Sequence, residues 1–482
     1  MLTRVTAPRT GINLSLARVR ATQAAVSTTP RGFASSASAL AKERLLVLGS
    51  GWSGYNVARK VDKNLYDVTV VSPNSYFSFT PFLASTCVGT LEFRCATEPV
   101  RNIKHVTFCQ GWADNVDFAN KVVRVGPSLP PLRDPTVDSP VNVPQHYSAE
   151  IEAAYTPSDA YDVPYDKLVI ATGCRSAWFG TPGVREHAHF LKDVREARAI
   201  RLRLLECLEL ASEPDATPEE VAKLLSFRVV GGGPTGVEFA AELHDFVHSD
   251  VYRLYPHLKD KVTITLYDVA PGILMSFDSS LREYAERKFS RVGVKVQGNT
   301  KIVGVGKDWL EFDSGEKEPY GLLVWNTGLQ VNEFVHQIEG VSKDVKAIKV
   351  GPQLQVLDGD GKHIPGVFAI GDNATPADGT RLPQTAQVAS QMAGYMASTL
   401  GAVAKGKSLE SQAAFEWKNR GSMVFIGNYN SIEGPRARIA GMAAWLVWRS
   451  YYMTLAMGWR NRILIPVYWA LAFFFGRDIT SF

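Results

Sequence analysis

Two glycine-rich turns of the same kind lie 182 residues apart, each following a short run of strand-forming residues. Leu45-Leu46-Val47-Leu48 leads into Gly49-Ser50-Gly51-Trp52-Ser53-Gly54, and Phe227-Arg228-Val229-Val230 leads into Gly231-Gly232-Gly233-Pro234-Thr235-Gly236. Each reads as a strand, a tight turn and the start of a helix. Glycines at Gly49, Gly51 and Gly54, and again at Gly231, Gly233 and Gly236, let the backbone approach a pyrophosphate whose charge the helix N-terminus stabilises. A single such turn says little. Two in one chain imply two dinucleotides, and the obvious use of two is to pass a hydride from one to the other.

The rest of the chain repeats in the same order. Tyr165-Asp166-Lys167-Leu168-Val169-Ile170-Ala171-Thr172-Gly173 has a cousin 155 residues on, Tyr320-Gly321-Leu322-Leu323-Val324-Trp325-Asn326-Thr327-Gly328. Both are apolar strands ending in Thr-Gly, at Thr172-Gly173 and Thr327-Gly328. The pattern predicts an α/β protein with two Rossmann-like dinucleotide-binding domains, the second inserted in the first. At 482 residues the chain is too long for one core. The reading places a first domain at 43–190, a second at 191–345, a return to the first at 346–400 and a separate C-terminal region at 401–482. A strand at 367–370 is expected to rejoin the first domain. Residues 127–164, rich in Pro, Ser and Asp, read as a surface insertion.

Composition narrows the setting. Hydrophobic residues at 45% and charged residues at 21% are ordinary for a globular protein. The net charge of +4 is small, its basic excess sits at the two ends, and no nucleic-acid partner is expected. Residues 1–42 carry Arg4, Arg9, Arg18, Arg20, Arg31 and Lys42 before any acid, with many Ser, Thr and Ala. That is the make-up of a mitochondrial transit peptide. The five cysteines, Cys87, Cys95, Cys109, Cys174 and Cys207, form no C-x-x-C pair, so neither a zinc site nor a disulfide framework is expected, and no metal site.

Individual residues then suggest roles. In a doubly wound fold the acid ending the second strand bonds the adenine ribose. In the second domain that residue is Asp268, whose charge favours NADH over a 2′-phosphorylated nucleotide; the alternative is a solvated strand-end aspartate. The equivalent position in the first domain is Ser72, which bonds a ribose without offering charge. Gly371-Asp372 ends the strand at 367–370 in an Ala-Ile-Gly-Asp tetrad of the kind that holds the ribityl and phosphate portion of a flavin; helix capping by Asp372 is compatible with this. Glu238 lies two residues past Gly236. It reads either as a favourable acid near a helix N-terminus, worth less than about 1 kcal/mol, or as a carboxylate at a nicotinamide–flavin contact. Gln387 and Gln391, four apart, share one helix face, either solvated or turned to the flavin ring.

The last stretch differs. No acidic residue occurs from Gly434 to Arg477, which contain Arg436, Arg438, Arg449, Arg460, Arg462 and Arg477 among many Trp, Tyr and Phe. Its longest apolar run, 463–475, is thirteen residues with Pro466 inside. That is too short for a bilayer span, which needs about 20 residues. Basic and aromatic residues around short apolar stretches fit helices lying in the membrane interface. Arginines without nearby acids argue against a buried core helix.

These motifs together resemble the type II NADH dehydrogenases, the single-subunit alternative NADH:quinone oxidoreductases, and most closely their fungal mitochondrial members. The resemblance is carried by residues 49–54, Tyr76-Phe77-Ser78-Phe79-Thr80-Pro81-Phe82-Leu83, residues 231–238, residues 369–374, Leu382-Pro383-Gln384-Thr385-Ala386-Gln387 and the arginine–aromatic tail. It implies non-covalent FAD in the first domain, held partly by Thr172, Gly173 and Asp372, with Thr80-Pro81 near its ring. It also implies that NADH, the substrate of the second domain, reduces the flavin, and that ubiquinone accepts the electrons without proton pumping. By the same resemblance Glu238 stands between nicotinamide and flavin, and Gln387 and Gln391 belong to an A-Q-x-x-x-Q motif at the flavin and quinone head. The expected setting is the mitochondrial inner membrane, attached peripherally to its lipid surface, on the matrix rather than the intermembrane-space face, and as a homodimer. The rivals are a sulfide:quinone or disulfide reductase, which needs cysteines this spacing does not offer, and a nucleotide-sensing flavoprotein resembling the apoptosis-inducing type.

Overall fold

The computed structural model describes residues 42–128, 160–345, 347–427, 430–433, 438–456 and 458–480, with backbone alone over 430–433 and 438–445. The leader and most of the segment at 127–164 lie outside the described residues. The end of that segment is not irregular, as expected, but a strand, Tyr161–Pro164, paired antiparallel to Val122–Pro127.

Two sheets organise the chain, and each grows from one glycine turn. In the first, Glu43–Leu48 lies between Tyr66–Ser72 and Lys167–Ile170, parallel to both. Leu48 is level with Val71 on one side and Ile170 on the other, so all three strands end at one edge. His363–Ala369 adds in parallel beside Lys167–Ile170, which brings the chain back to this sheet after the second has been completed. In the second sheet, Ser226–Val230 lies between Thr263–Tyr267 and Leu322–Trp325, again all parallel. The central strands read as unbroken apolar runs because both faces are covered, and Leu45, Val47, Val229, Leu323 and Val324 are fully buried.

The element ends refine the boundaries read from the sequence. The second sheet begins at His189–Phe190, paired with Leu322–Trp325, just ahead of residue 191. The helix predicted after Pro383 runs Ala386–Ala404, past residue 400, and is capped by Thr385, whose side chain accepts from the Val388 N–H. It packs against the first turn's helix, Trp52–Lys60. The second turn's helix, Pro234–Phe246, opens with proline at its first position and closes in a π-helical turn, Val247–Val251, that buries Asp250.

The C-terminal region is a three-stranded antiparallel sheet, Ser422–Val424, Asn430–Glu433 and Arg438–Gly441, followed by helices Met442–Leu455 and Trp459–Phe475. Among the described residues no helix is long and apolar enough to cross a membrane. Trp448 and Ile465 turn inward, whereas Trp459, Ile463, Val467, Leu471 and Phe473, Phe474 and Phe475 are exposed.

The expectation that the tail arginines lack acidic partners needs correction. Arg477 pairs with Asp250 at 2.8 Å and lies 3.8 Å from Glu242. Its Nε donates to Thr90 Oγ1 at 2.8 Å. These partners come from far away in sequence, so no local scan of the tail finds them. Arg460 donates to the Arg94 and Thr97 carbonyls, Arg462 to those of Thr454 and Ala456, and Arg449 stacks 4.4 Å from the Trp469 ring centre.

Candidate active site

The two glycine turns superimpose in their logic. At Gly49, with φ of 106°, an added Cβ would lie 2.3 Å from the Ala171 carbonyl oxygen; at Gly231, with φ of 109°, it would lie 2.4 Å from that of Asn326. At the helix, a Cβ on Gly54 would fall 2.0 Å from the Gly49 oxygen, and one on Gly236 2.0 Å from the Gly231 oxygen. These four positions are closed by the fold itself. Around the middle glycines, Gly51 and Gly233, a Cβ meets nothing within 4 Å. Both cap their helices, so free backbone N–H groups face open space where a phosphate fits.

The residue ending each second strand reaches the middle of its own turn. Ser72 Oγ is 2.8 Å from Ser50 Oγ, and both are buried. Asp268 Oδ2 accepts from the Gly232 N–H at 2.5 Å, while Oδ1 accepts from the Ala270 N–H at 2.7 Å. The aspartate thus braces the second turn and brings a negative charge to its rim.

The late strands complete the cradles. Thr172 Oγ1 is buried without a hydrogen-bond partner, and a Cβ on Gly173 would meet nothing within 4 Å. Asn373 fixes this corner: its side-chain oxygen accepts from the Gly173 N–H at 3.0 Å, and its Nδ2 donates to the Ile170 carbonyl at 3.1 Å. Gly371 lies against the first turn's helix, where a Cβ would stand 2.3 Å from Ser53 Oγ. Asp372 therefore follows directly at the cradle, accepting from the Cys174 thiol at 2.9 Å. An orphaned hydroxyl, an open helix N-terminus and a carboxylate gathered at one sheet edge fit the pyrophosphate and ribityl portion of FAD. In the second cradle Asn326 Nδ2 is the buried group without a partner, and Thr327 Oγ1 donates to the Ala177 carbonyl at 3.0 Å beside Gly328.

Thr80 and Pro81 form a 3₁₀ turn, Thr80–Phe82, in front of the first helix, where Trp52 Nε1 donates to Thr80 Oγ1 at 3.0 Å. From there an aromatic wall runs to the C-terminal helices. Trp52 and Phe79 ring centres are 5.2 Å apart, Phe79 and Phe82 4.9 Å, and Phe82 is about equally far, 6.2–6.3 Å, from Trp448, Tyr452 and Trp469.

Glu238 stands where this wall meets the second helix. The Phe425 N–H donates to its Oε1 at 3.0 Å. Burial, helped by the negative charge of Glu242 one turn on and opposed by the Phe425 hydrogen bond, pushes its carboxyl up to about 8. Burial and Glu238 in turn raise the Tyr452 phenol. A carboxyl that titrates near neutrality is suited to handling a proton.

Gln387 and Gln391 do share one helix face, but neither amide is free. Gln387 accepts from the Arg420 N–H and donates to the Gly421 carbonyl; Gln391 accepts from the Lys418 N–H and donates to the Lys418 carbonyl. The pair zips the segment before the C-terminal sheet onto helix Ala386–Ala404. Sequence reasoning missed Phe425, Tyr452, Asn373, Cys174 and Lys192. Cys174 and Asn373 adjoin residues the sequence singles out, Gly173 and Asp372, whereas Lys192, Phe425 and Tyr452 arrive from distant segments.

The family comparisons fall on these parts. A family described as pyridine nucleotide-disulphide oxidoreductase matches residues 43–393, and one described as NDH2 C-terminal domain matches 419–478. The internal alternative NAD(P)H-ubiquinone oxidoreductase A1, mitochondrial, of Solanum tuberosum is 37% identical over 464 residues, covering 91% of this chain and 88% of that protein. The external NADH-ubiquinone oxidoreductase 2, mitochondrial, of Saccharomyces cerevisiae is 32% identical, covering 92% and 83%. In fold, the chain resembles the structure of NDH2 from Plasmodium falciparum in complex with NADH, with a TM-score of 0.80 at 24% identity over 91% of this chain and 100% of that one. The sulfide:quinone oxidoreductase of Aquifex aeolicus has a TM-score of 0.61 at 18% identity over 90% and 96%.

Proposed function

The chain belongs to the type II NADH dehydrogenases, the mitochondrial alternative NAD(P)H-ubiquinone oxidoreductases, and from that premise we propose how its residues divide the oxidation of NADH and the reduction of ubiquinone. FAD, when bound, supplies the two-electron chemistry; the chain supplies binding, orientation and electrostatics. Gly49, Gly51, Gly54, Ser72, Thr172, Gly173, Gly371 and Asp372 hold FAD, with Thr80 and Pro81 walling its ring, in a domain comprising 43–190 and 346–400. Gly231, Gly233, Gly236, Asp268, Thr327 and Gly328 hold NADH in the domain at 191–345.

Glu238 is the observation that carries this reading. It sits on the nucleotide helix, yet its partner Phe425 belongs to the C-terminal region that matches the NDH2 family. That junction supports a role for it between nicotinamide and quinone, where its carboxyl, pushed up to about 8, holds or releases a proton. Gln387 and Gln391 act by seating the 418–421 segment at the flavin side. The rival chemistry of paired cysteines finds no support: Cys87 and Cys95 are both buried, and burial drives the first thiol well up and the second to about 11.

The exposed row from Trp459 to Phe475 supports peripheral attachment of region 401–482 to the inner-membrane lipid surface. The transit-peptide composition of 1–42 and identities of 37–38% to internal plant enzymes, against 30–32% to external ones, favour the matrix face. The same tail offers a surface for a homodimer. The test is NADH oxidation by the purified, flavin-loaded protein with a short-chain ubiquinone. We expect quinone-dependent turnover with NADH well above that with NADPH; no quinone-dependent NADH oxidation overturns the reading.

A further inference from the structure

Cys174 follows Gly173 directly and opens the short strand Cys174–Ser176, which pairs antiparallel with Leu329–Val331. Its thiol donates to Asp372 Oδ2 at 2.9 Å and accepts from Lys192 Nζ at 3.0 Å. The ammonium lies 3.8 Å from the same carboxylate oxygen, too far for a direct hydrogen bond. The lysine itself is fixed in place. Glu196, the third residue of helix Val194–Leu210, accepts from the Lys192 and Asp193 N–H groups at 2.6 and 3.0 Å. Its backbone is thereby locked to the helix start.

This arrangement is not that of a reactive thiol. Burial pushes the Cys174 pKa up to about 12, Cys174 is a free cysteine, and no second sulfur closes a redox pair. What remains is a three-part bridge in which ammonium, thiol and carboxylate are linked in series. On the reading that Asp372 faces the phosphate-bearing part of the flavin, two negative groups meet in one corner and need a counter-charge.

We propose that Lys192, acting through the Cys174 thiol, is the positioning residue that aims the Asp372 carboxylate at the flavin and offsets its charge, so that flavin retention depends on this pair. The inference rests on the assignment of Asp372 to the flavin and is tested apart from turnover. The flavin-loaded wild type and its Cys174→Ala, Cys174→Ser, Lys192→Met, Lys192→Arg and Asp372→Asn variants are compared by fluorescence of released flavin.

Cys174→Ala and Lys192→Met are expected to bind flavin roughly tenfold less tightly, the scale of one charge-assisted hydrogen bond. Cys174→Ser and Lys192→Arg, which keep a bridging donor and a charge, should stay within about twofold of wild type. That rescue would not follow from a general loss of packing. If Cys174→Ala gives no soluble protein, Lys192→Met against Lys192→Arg decides in the same way. Unchanged flavin affinity in Lys192→Met, with Asp372→Asn weakened, overturns this proposal alone. Unchanged affinity in Asp372→Asn overturns the assignment beneath it as well.

Discussion

At the scale of single residues, the sequence marks positions but does not describe their environment. The position of Asp268 is legible because a strand end is a local feature, whereas the Gly232 hydrogen bond by which the carboxylate braces the turn is not. Asp268→Ala should narrow the preference for NADH over NADPH in steady-state rates with a quinone acceptor, chiefly through a raised KM for NADH; an unaltered preference contradicts its ribose role. Glu238 was legible as a position but not as an acid with a displaced pKa, because Phe425 and Tyr452 approach it from the far end of the chain. Its carboxyl titrates at about 8, above the ordinary 4.5, mainly through burial. The protonated form is therefore favoured by the fold, so its contribution is full below about pH 4.5 and is lost as pH rises through 8. Glu238→Gln removes that titration. The stability of the variant relative to wild type should rise between pH 5.5 and 9 by about 3 kcal/mol. Thermal unfolding at the two pH values reads this directly, and a gap independent of pH refutes it.

At the scale of elements, what the chain writes locally came through and what it assembles at a distance did not. Strand, turn and helix around each glycine run are dictated within about twenty residues, and the paired Thr-Gly strands announce the duplication. The hydrogen-bond partners of Gln387 and Gln391 were not readable, since the helix spacing is local but the 418–421 backbone that occupies both amides is not. The docking of the tail was likewise hidden, because Arg477 meets Asp250 only after the π-helical turn rotates that aspartate inward. The equivalence of the two turns gives a paired prediction. A Cβ at Gly54 or Gly236 falls 2.0 Å from a backbone oxygen, a contact that no side-chain rearrangement relieves. Gly54→Ala should lose flavin on purification, whereas Gly236→Ala should keep its flavin yet raise the KM for NADH at least about tenfold, from a displaced helix N-terminus. Flavin content measured alongside NADH kinetics separates the two, and loss of flavin from both variants contradicts the division of labour.

At the scale of the whole molecule, the tail is both part of the core and part of the surface. Trp448 and Ile465 are buried, the former beside Phe82 and Phe425, while Trp459 is 78% exposed and Phe473 82%. The sequence suggested a membrane-facing segment from its arginines and aromatics, but only the structure separates the inward from the outward residues of helix Trp459–Phe475. This matters for the test. Removing the tail would uncover core, so the outward face is better changed alone. Replacing Ile463, Val467 and Leu471 with serine should reduce sedimentation with phospholipid vesicles at least about tenfold. Flavin content should be kept; undiminished sedimentation contradicts the anchoring face.

On the proposed reading one polypeptide holds a flavin and NADH in two cradles and passes the electrons to a quinone. Absorbance of the purified, flavin-loaded protein under anaerobic conditions tests it most directly. NADH should bleach the flavin band within the time of one turnover, and a short-chain ubiquinone added afterwards should restore it in full. A flavin band that NADH leaves unchanged, or that ubiquinone fails to restore, contradicts the account.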